Sequence, residues 1–221
     1  MLPESLCSPC LPQALRIKPF TFGATSYMIR GLYSILIILL VSSAIPSQAD
    51  EASDKVRTGT RYKNTLAVFR EPEIFPRANN DSAAYRLLVT ATFYHPVMIR
   101  IEKSGARHVL RAKWLSGQVG YDWGKFKGEK TANLTEKQWR TLNRLLDRAS
   151  FWKLPYEQAE PPPNEKGEVT VCLDGVDWFL EGSALGKYHV VDRYCPDEGA
   201  FKSVGMYMVK LARLNIGLRL K

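Results

Sequence analysis

The chain has 221 residues, 45% of them apolar and 24% charged, with a formal charge of +9 at neutral pH. This is ordinary globular composition, and the basic balance favours acidic partners in general: anionic lipid, polyanionic glycan or an acidic protein. Nucleic acid is a poor fit, because no RRM, zinc-finger or basic-helix pattern is present; nor is there a glycine-rich phosphate loop.

Residues 1–27 contain Cys7-x-x-Cys10. The spacing suits metal or redox chemistry, but the motif is weak alone. Met28 is a plausible start, so 1–27 reads as a non-native upstream extension. Met28 to Ala49 reads as a secretory signal peptide. Arg30 supplies the positive n-region, Leu32 to Val41 the apolar run, and Ser47-Gln48-Ala49 a small-residue cleavage site. The apolar run is shorter than the ~20 residues of a membrane-spanning helix, and an uncleaved N-terminal anchor is the alternative. Cleavage leaves 172 residues with a charge of +7, since Arg16, Lys18 and Arg30 against Glu4 are removed. The expected location is periplasmic or secreted, with no transmembrane span in the mature chain.

Residues 50–83 are polar, with Pro72, Pro76 and Asn79-Asn80-Asp81, and read as a linker or arm. Leu66 to Phe69 is a short apolar piece able to dock on a domain. A single domain is expected over residues 84–215. Tyr85, Leu87, Val89, Ala91 and Phe93 occupy alternate positions, as do Val97, Ile99 and Ile101. Both stretches read as strands. A turn at Ser104-Gly105 leads into a third strand, pairing Glu102 with Arg107, Ile101 with His108 and Ile99 with Leu110. Residues 116–132 are glycine-rich, with Lys125, Lys127 and Lys130 between Tyr121, Trp123 and Phe126. They read as a loop, either solvated or ligand-binding.

Thr135 and Gln138 form a capping box, and Leu134 and Trp139 a hydrophobic staple. Trp139, Leu142, Leu145, Leu146 and Ala149 then recur at helical spacing. After the proline-rich stretch 157–167, strands are expected at about 168–173, 176–181 and 188–193, the first two joined at Asp174-Gly175. The next loop pairs Leu180 with His189 and Trp178 with Val191. A last amphipathic helix runs from about Gly199 to Leu214, buried on Phe201, Val204, Met208 and Leu211, with Gly205 permitting close approach. The expected class is α+β: a two-layer sandwich of antiparallel sheet segments and two amphipathic helices, in the order βββα-βββα.

The pattern Asp174-Gly175-x-x-Trp178-x-x-Glu181-Gly182, then Tyr188-His189-Val190-Val191-Asp192-Arg193-x-x-Pro196, resembles a group of bacterial exported proteins of uncharacterised activity. Phe93-x-His95-Pro96, Gly120-Tyr121 and Phe151-Trp152-x-Leu154-Pro155 fit as well. The resemblance covers about residues 85–212 and implies a fold and export. It implies no activity and no functional residues.

Candidate binding residues are therefore read from the chain itself: Trp178, Glu181, Tyr188, His189 and Arg193. His189 and Arg193 share a strand face beside Trp178 and suit a carboxylate or phosphate; the plainer reading is that both lie at the rim of the core. Asp177 and Asp192 fall opposite each other in the expected register, a disposition that needs a proton or cation between them. His95, His108 and His189 have no ligand spacing to one another, so no metal and no cofactor are assigned. No nucleophile motif supports a Ser-His-Asp or Cys-His catalyst. Cys172 and Cys195, the two mature cysteines, form a possible disulfide in an oxidising compartment. The preferred function is a non-catalytic binding domain of the cell envelope, with an envelope protein or acidic ligand as partner. The alternative is a small periplasmic hydrolase using carboxylates or His189.

Overall fold

A computed structural model of the chain describes residues 51–74, 81–159 and 172–214. The expected extension at 1–27, the signal peptide at 28–49, most of the strand at 168–173 and the domain end at 215 lie outside the described residues.

Six strands form one antiparallel sheet in the order β4-β3-β2-β1-β5-β6. They are β1 (Ser82–Ala91), β2 (Val97–Ser104), β3 (Arg107–Leu115), β4 (Phe126–Asn133), β5 (Val176–Ala184) and β6 (Lys187–Tyr194). The helices are α1 (Glu51–Thr58), α2 (Thr60–Phe69), α3 (Glu136–Arg148) and α4 (Ala200–Ala212), with a 3-10 turn at Phe151–Lys153. The class is α+β, as the periodicities indicate. The βββα-βββα order holds only in part. A fourth strand, β4, stands in the first half, and α1 and α2 precede the sheet. Helices cover both faces, so the molecule has three layers rather than two.

The side chains of β1, β2, β3, β5 and β6 alternate between the faces. On one face, Leu87, Val89, Ile99, Ile101, Leu110, Trp178, Leu180 and Val191 are buried together with Trp139, Leu142 and Leu146 of α3 and Val204, Met208 and Ala212 of α4. The capping box of α3 is present: the Gln138 amide donates to Thr135 Oγ1 at 3.2 Å, and the Thr135 amide donates to Gln138 Oε1 at 2.8 Å. Gly205 lies against Trp178. A Cβ there would fall 2.1 Å from the indole, so this helix reaches the sheet only because the side chain is missing.

The expected hairpin at Asp174-Gly175 does not form, because β5 lies between β1 and β6 and Val176 faces Ala91. The other two expected hairpins have the right faces and the wrong partners. The β2–β3 turn is Gly105-Ala106, so Ser104 faces Arg107, Ile101 faces Leu110 and Ile99 faces Ala112. In β5–β6 the turn is Leu185-Gly186, both at positive φ, and Leu180 faces Val191 while Trp178 faces Arg193. Each register is shifted by two residues, which preserves the side-chain alternation. The expected Glu102–Arg107 pair is absent from the register: Glu102 faces Val109 and contacts Arg100 and Arg111 instead.

The other face corrects the picture of residues 50–83 as a linker. Tyr62, Leu66 and Phe69 of α2 are buried against Met98 and Leu115, and Ile74 against Tyr188 and Val190. The backbone amide of Val190 donates to Ser53 Oγ of α1 at 3.0 Å. The docking of Leu66 and Phe69 is thus observed, inside a helix.

Candidate functional site

The five candidate residues do not form one site. Trp178, His189 and Arg193 lie on the α3–α4 face, and Glu181 and Tyr188 on the α1–α2 face, because odd and even positions of β5 and β6 point opposite ways across the pairs Trp178–Arg193 and Glu181–Val190. All five are buried. His189 Nε2 donates to the Leu154 carbonyl at 3.0 Å, and the ring meets Phe151 edge-on at 5.2 Å. Arg193 donates to the carbonyls of Pro155 and Tyr156, both at 2.8 Å, and its guanidinium lies 5.6 Å from the Phe201 ring centre. Burial lowers the pKa of Arg193, against the raising influence of Asp192. These two side chains therefore hold the segment that follows α3 against the sheet.

Glu181 belongs to a buried ionic cluster under α2. It accepts from Arg86 Nε at 2.8 Å and from the Tyr62 and Tyr188 hydroxyls at 2.5 and 2.7 Å, and Arg86 Nη2 also contacts it. Glu71 sits nearby, 2.6 Å from Arg100 Nε and 2.7 Å from Lys113 Nζ. Burial and the adjacent Glu181 charge push the Tyr188 and Tyr62 phenols well above their ordinary value, so both hydroxyls remain donors. Burial works most strongly against the Arg86 charge, but its partners together, Glu181 first, outweigh it and the guanidinium stays protonated. The cluster offers satisfied charges to one another, and its chemistry is cohesion. Arg86, Arg100, Lys113 and Glu71 were not singled out in the sequence. The only signal was a cation at a polar-register position of an otherwise apolar strand, which reads equally as solvent-facing.

The two aspartates are on one face, but diagonal rather than opposite. Asp177 faces Tyr194, and Asp192 faces Phe179. Burial raises both carboxyls, Asp177 adds to the rise at Asp192, and Arg61 of α2 opposes it at both. Among the described residues, no three His, Cys, Asp or Glu side chains gather where they could hold a metal.

Of the seven large apolar side chains exposed among the described residues, Val68 of α2 and Leu185 of the β5–β6 turn stand apart, and the other five lie at one end of the sheet. There the β1–β2 connection, the β3–β4 loop and the strand ends of β5 and β6 meet. The Gly120 amide donates to the Thr92 carbonyl at 3.0 Å, and Val119 to the Tyr94 carbonyl at 3.3 Å. His95 Nδ1 lies 2.6 Å from the Gly117 carbonyl and donates to it. Thr92 in turn donates to the Gly175 carbonyl. Gly175 is enclosed by the Cys172 and Cys195 sulfurs and the Tyr194 ring, with no room for a Cβ. Cys172 and Cys195 are paired, their Cα atoms 6.4 Å apart, and the Gly175 amide donates to the Tyr194 hydroxyl at 3.0 Å, so Tyr194 and Cys195 close over Gly175. On this scaffold Phe93 (54% exposed), Tyr94 (40%), Tyr121 (79%), Leu173 (82%) and Tyr194 (47%) face outward. Leu173, the last residue of the expected strand at 168–173, is at this rim. Of the basic-aromatic loop, Tyr121 is displayed, while Trp123 packs edge-on to Phe69 at 6.4 Å.

No helix among the described residues is long and apolar enough to cross a membrane. No protein-family model matches the chain, and a search of curated proteins finds no significant relative.

Proposed function

We propose that the protein is an exported, non-catalytic binding domain of the cell envelope, and that it engages its partner through the aromatic end of the sheet. The observation that carries this reading is the set of four outward aromatic rings on two connections and the end of β6, which backbone hydrogen bonds and a disulfide hold together. Aromatic side chains supply large contact area at low entropic cost, and tyrosine adds a polar tip. A contiguous exposed apolar patch is the ordinary mark of an interaction surface. The disulfide fits an oxidising compartment, and the positive charge fits an acidic envelope component.

The hydrolase alternative draws on one observation, the raised Asp177 and Asp192 carboxyls under Arg61. His189 supports it less, since its ring donates to a backbone carbonyl.

The test is a pull-down from an envelope extract with the exported protein, at low and moderate salt, set against the Tyr94→Ser/Tyr121→Ser double variant. A partner retained by the native protein and lost with the variant is the expected result. A partner retained equally by both contradicts the assignment of this surface.

A further inference from the structure

The outer side of α3 is cationic along its length. Lys137, Arg140, Arg144 and Arg148 follow one another at steps of three, four and four residues, so the helical turn sets them in one row. That row faces away from the sheet: Trp139, Leu142 and Leu146 are buried, and the four cations are exposed. From Lys137 to Arg148 the row is about 16 Å long. The Tyr207 hydroxyl donates to the Gln138 carbonyl at 3.3 Å, which sets the later part of α4 beside the first turn of α3. Lys210, three residues on, is exposed and widens the row into a patch.

The patch is not neutralised. The carboxylates of α3 are Glu136 and Asp147, two against these five cations. Glu136 lies 3.8 Å from Arg140 Nε and 3.4 Å from His108 Nε2. Lys137, Arg144, Arg148 and Lys210 make no ion pair with any described residue; Arg144 donates instead to the Thr141 hydroxyl at 3.1 Å. An uncompensated array of cations attracts a surface of fixed anionic groups. Here the cations crown the outside of two neighbouring helices rather than line a cleft that would enclose a single chain, so a flat sheet of phosphates meets them together. The apolar side of α3 is committed to the core, so the contact is electrostatic and nothing inserts into hydrocarbon.

We propose that the outer side of the α3–α4 layer is a docking surface for anionic phospholipid, through which the protein associates reversibly with a bilayer surface. The aromatic rim lies at the end of the sheet and this patch on its side, so both can be engaged at once, and neither proposal depends on the other.

Flotation of the exported protein with vesicles of equal parts phosphatidylglycerol and phosphatidylcholine tests this. Binding at low salt is expected, falling as salt screens the contact, with none to phosphatidylcholine alone. Arg140→Gln/Arg144→Gln should weaken the partition about thirtyfold, and Lys137→Gln alone about fivefold, the scale of one cation near a charged bilayer. All three side chains are exposed, so thermal unfolding of these variants should match that of the native protein. Lys55→Gln/Lys63→Gln removes the same charge from α1 and α2, on the opposite side of the sheet, and should leave the partition within about twofold. Equal weakening by the two double variants would mean that net charge alone draws the protein to the vesicles, and would overturn the proposal. So would binding to a sulfated polysaccharide without binding to the anionic vesicles.

Discussion

The two faces of the sheet are covered by different physics. On one, α3 and α4 bury side chains such as Leu142, Leu146, Val204 and Met208 against Leu87, Ile99 and Leu180. That burial is non-directional and scales with area. On the other, α2 meets Arg86, Arg100, Lys113 and Glu181, and the contact works only because each charge meets its counterpart. A buried ion pair adds little net stability over apolar packing, yet removing one member leaves an uncompensated charge. The first face should therefore respond to lost or added volume, and the second to lost charge pairing.

The largest expected effect is on the ionic face. Glu181→Ala should destabilise the fold by about 3–5 kcal/mol, read by urea unfolding. Adding Arg86→Met to Glu181→Leu should recover much of that loss, because the orphaned charge is then gone. On the apolar face, Gly205→Ala should cost about 1–3 kcal/mol through forced displacement of Trp178, and a variant as stable as the native chain would mean that α4 is not pressed onto the indole. Thr135→Ala removes one side of the capping box and should cost about 1 kcal/mol in the same assay.

The smallest effect concerns the half-buried aspartates. Burial raises the Asp177 carboxyl above its ordinary 3.8. The native state thus holds this proton more tightly than the unfolded chain. Asp177 favours folding below that value, and the contribution is lost as pH rises through its native pKa. Asp177→Asn should then raise the melting temperature slightly at pH 7, by up to about 2 °C, and the gain should vanish below pH 4. A gain that persists at low pH would assign the effect to something other than titration.

The same contrast explains what could be read from the residues alone. Strand alternation revealed the apolar face of β1, β2, β5 and β6 and survived a two-residue error in each hairpin. Period two carries side-chain direction but not pairing partner. The capping box and the Gly205 approach were legible because each is local or depends on one residue's size. β4 was not legible: as an edge strand exposed on both sides, FKGEKTAN has no apolar alternation to detect. Helices α1 and α2 were hidden for a related reason. Their buried contacts include Ser53 and the Tyr62 hydroxyl, polar groups whose burial is set by partners far along the chain. Glu181 and Tyr188 were chosen as binding residues on chemistry, and they bind residues of their own chain. The rim at Phe93, Tyr94 and Tyr121 is assembled from two separate connections, so no single stretch announces it.

Aromatic residues make the functional contrast sharpest. Trp139, Phe151 and Trp178 are enclosed, whereas Phe93, Tyr94 and Tyr121 are displayed. Loss of the first group should cost stability. Loss of the second should leave stability within about 0.5 kcal/mol and remove binding. The most direct measurement is photocrosslinking in living cells, with a photoreactive phenylalanine at position 121 and, as a control, at Arg144 on the exposed side of α3. A discrete adduct at 121 that is absent at 144 is the predicted result. No adduct at 121, or the same adducts at both positions, would contradict the account.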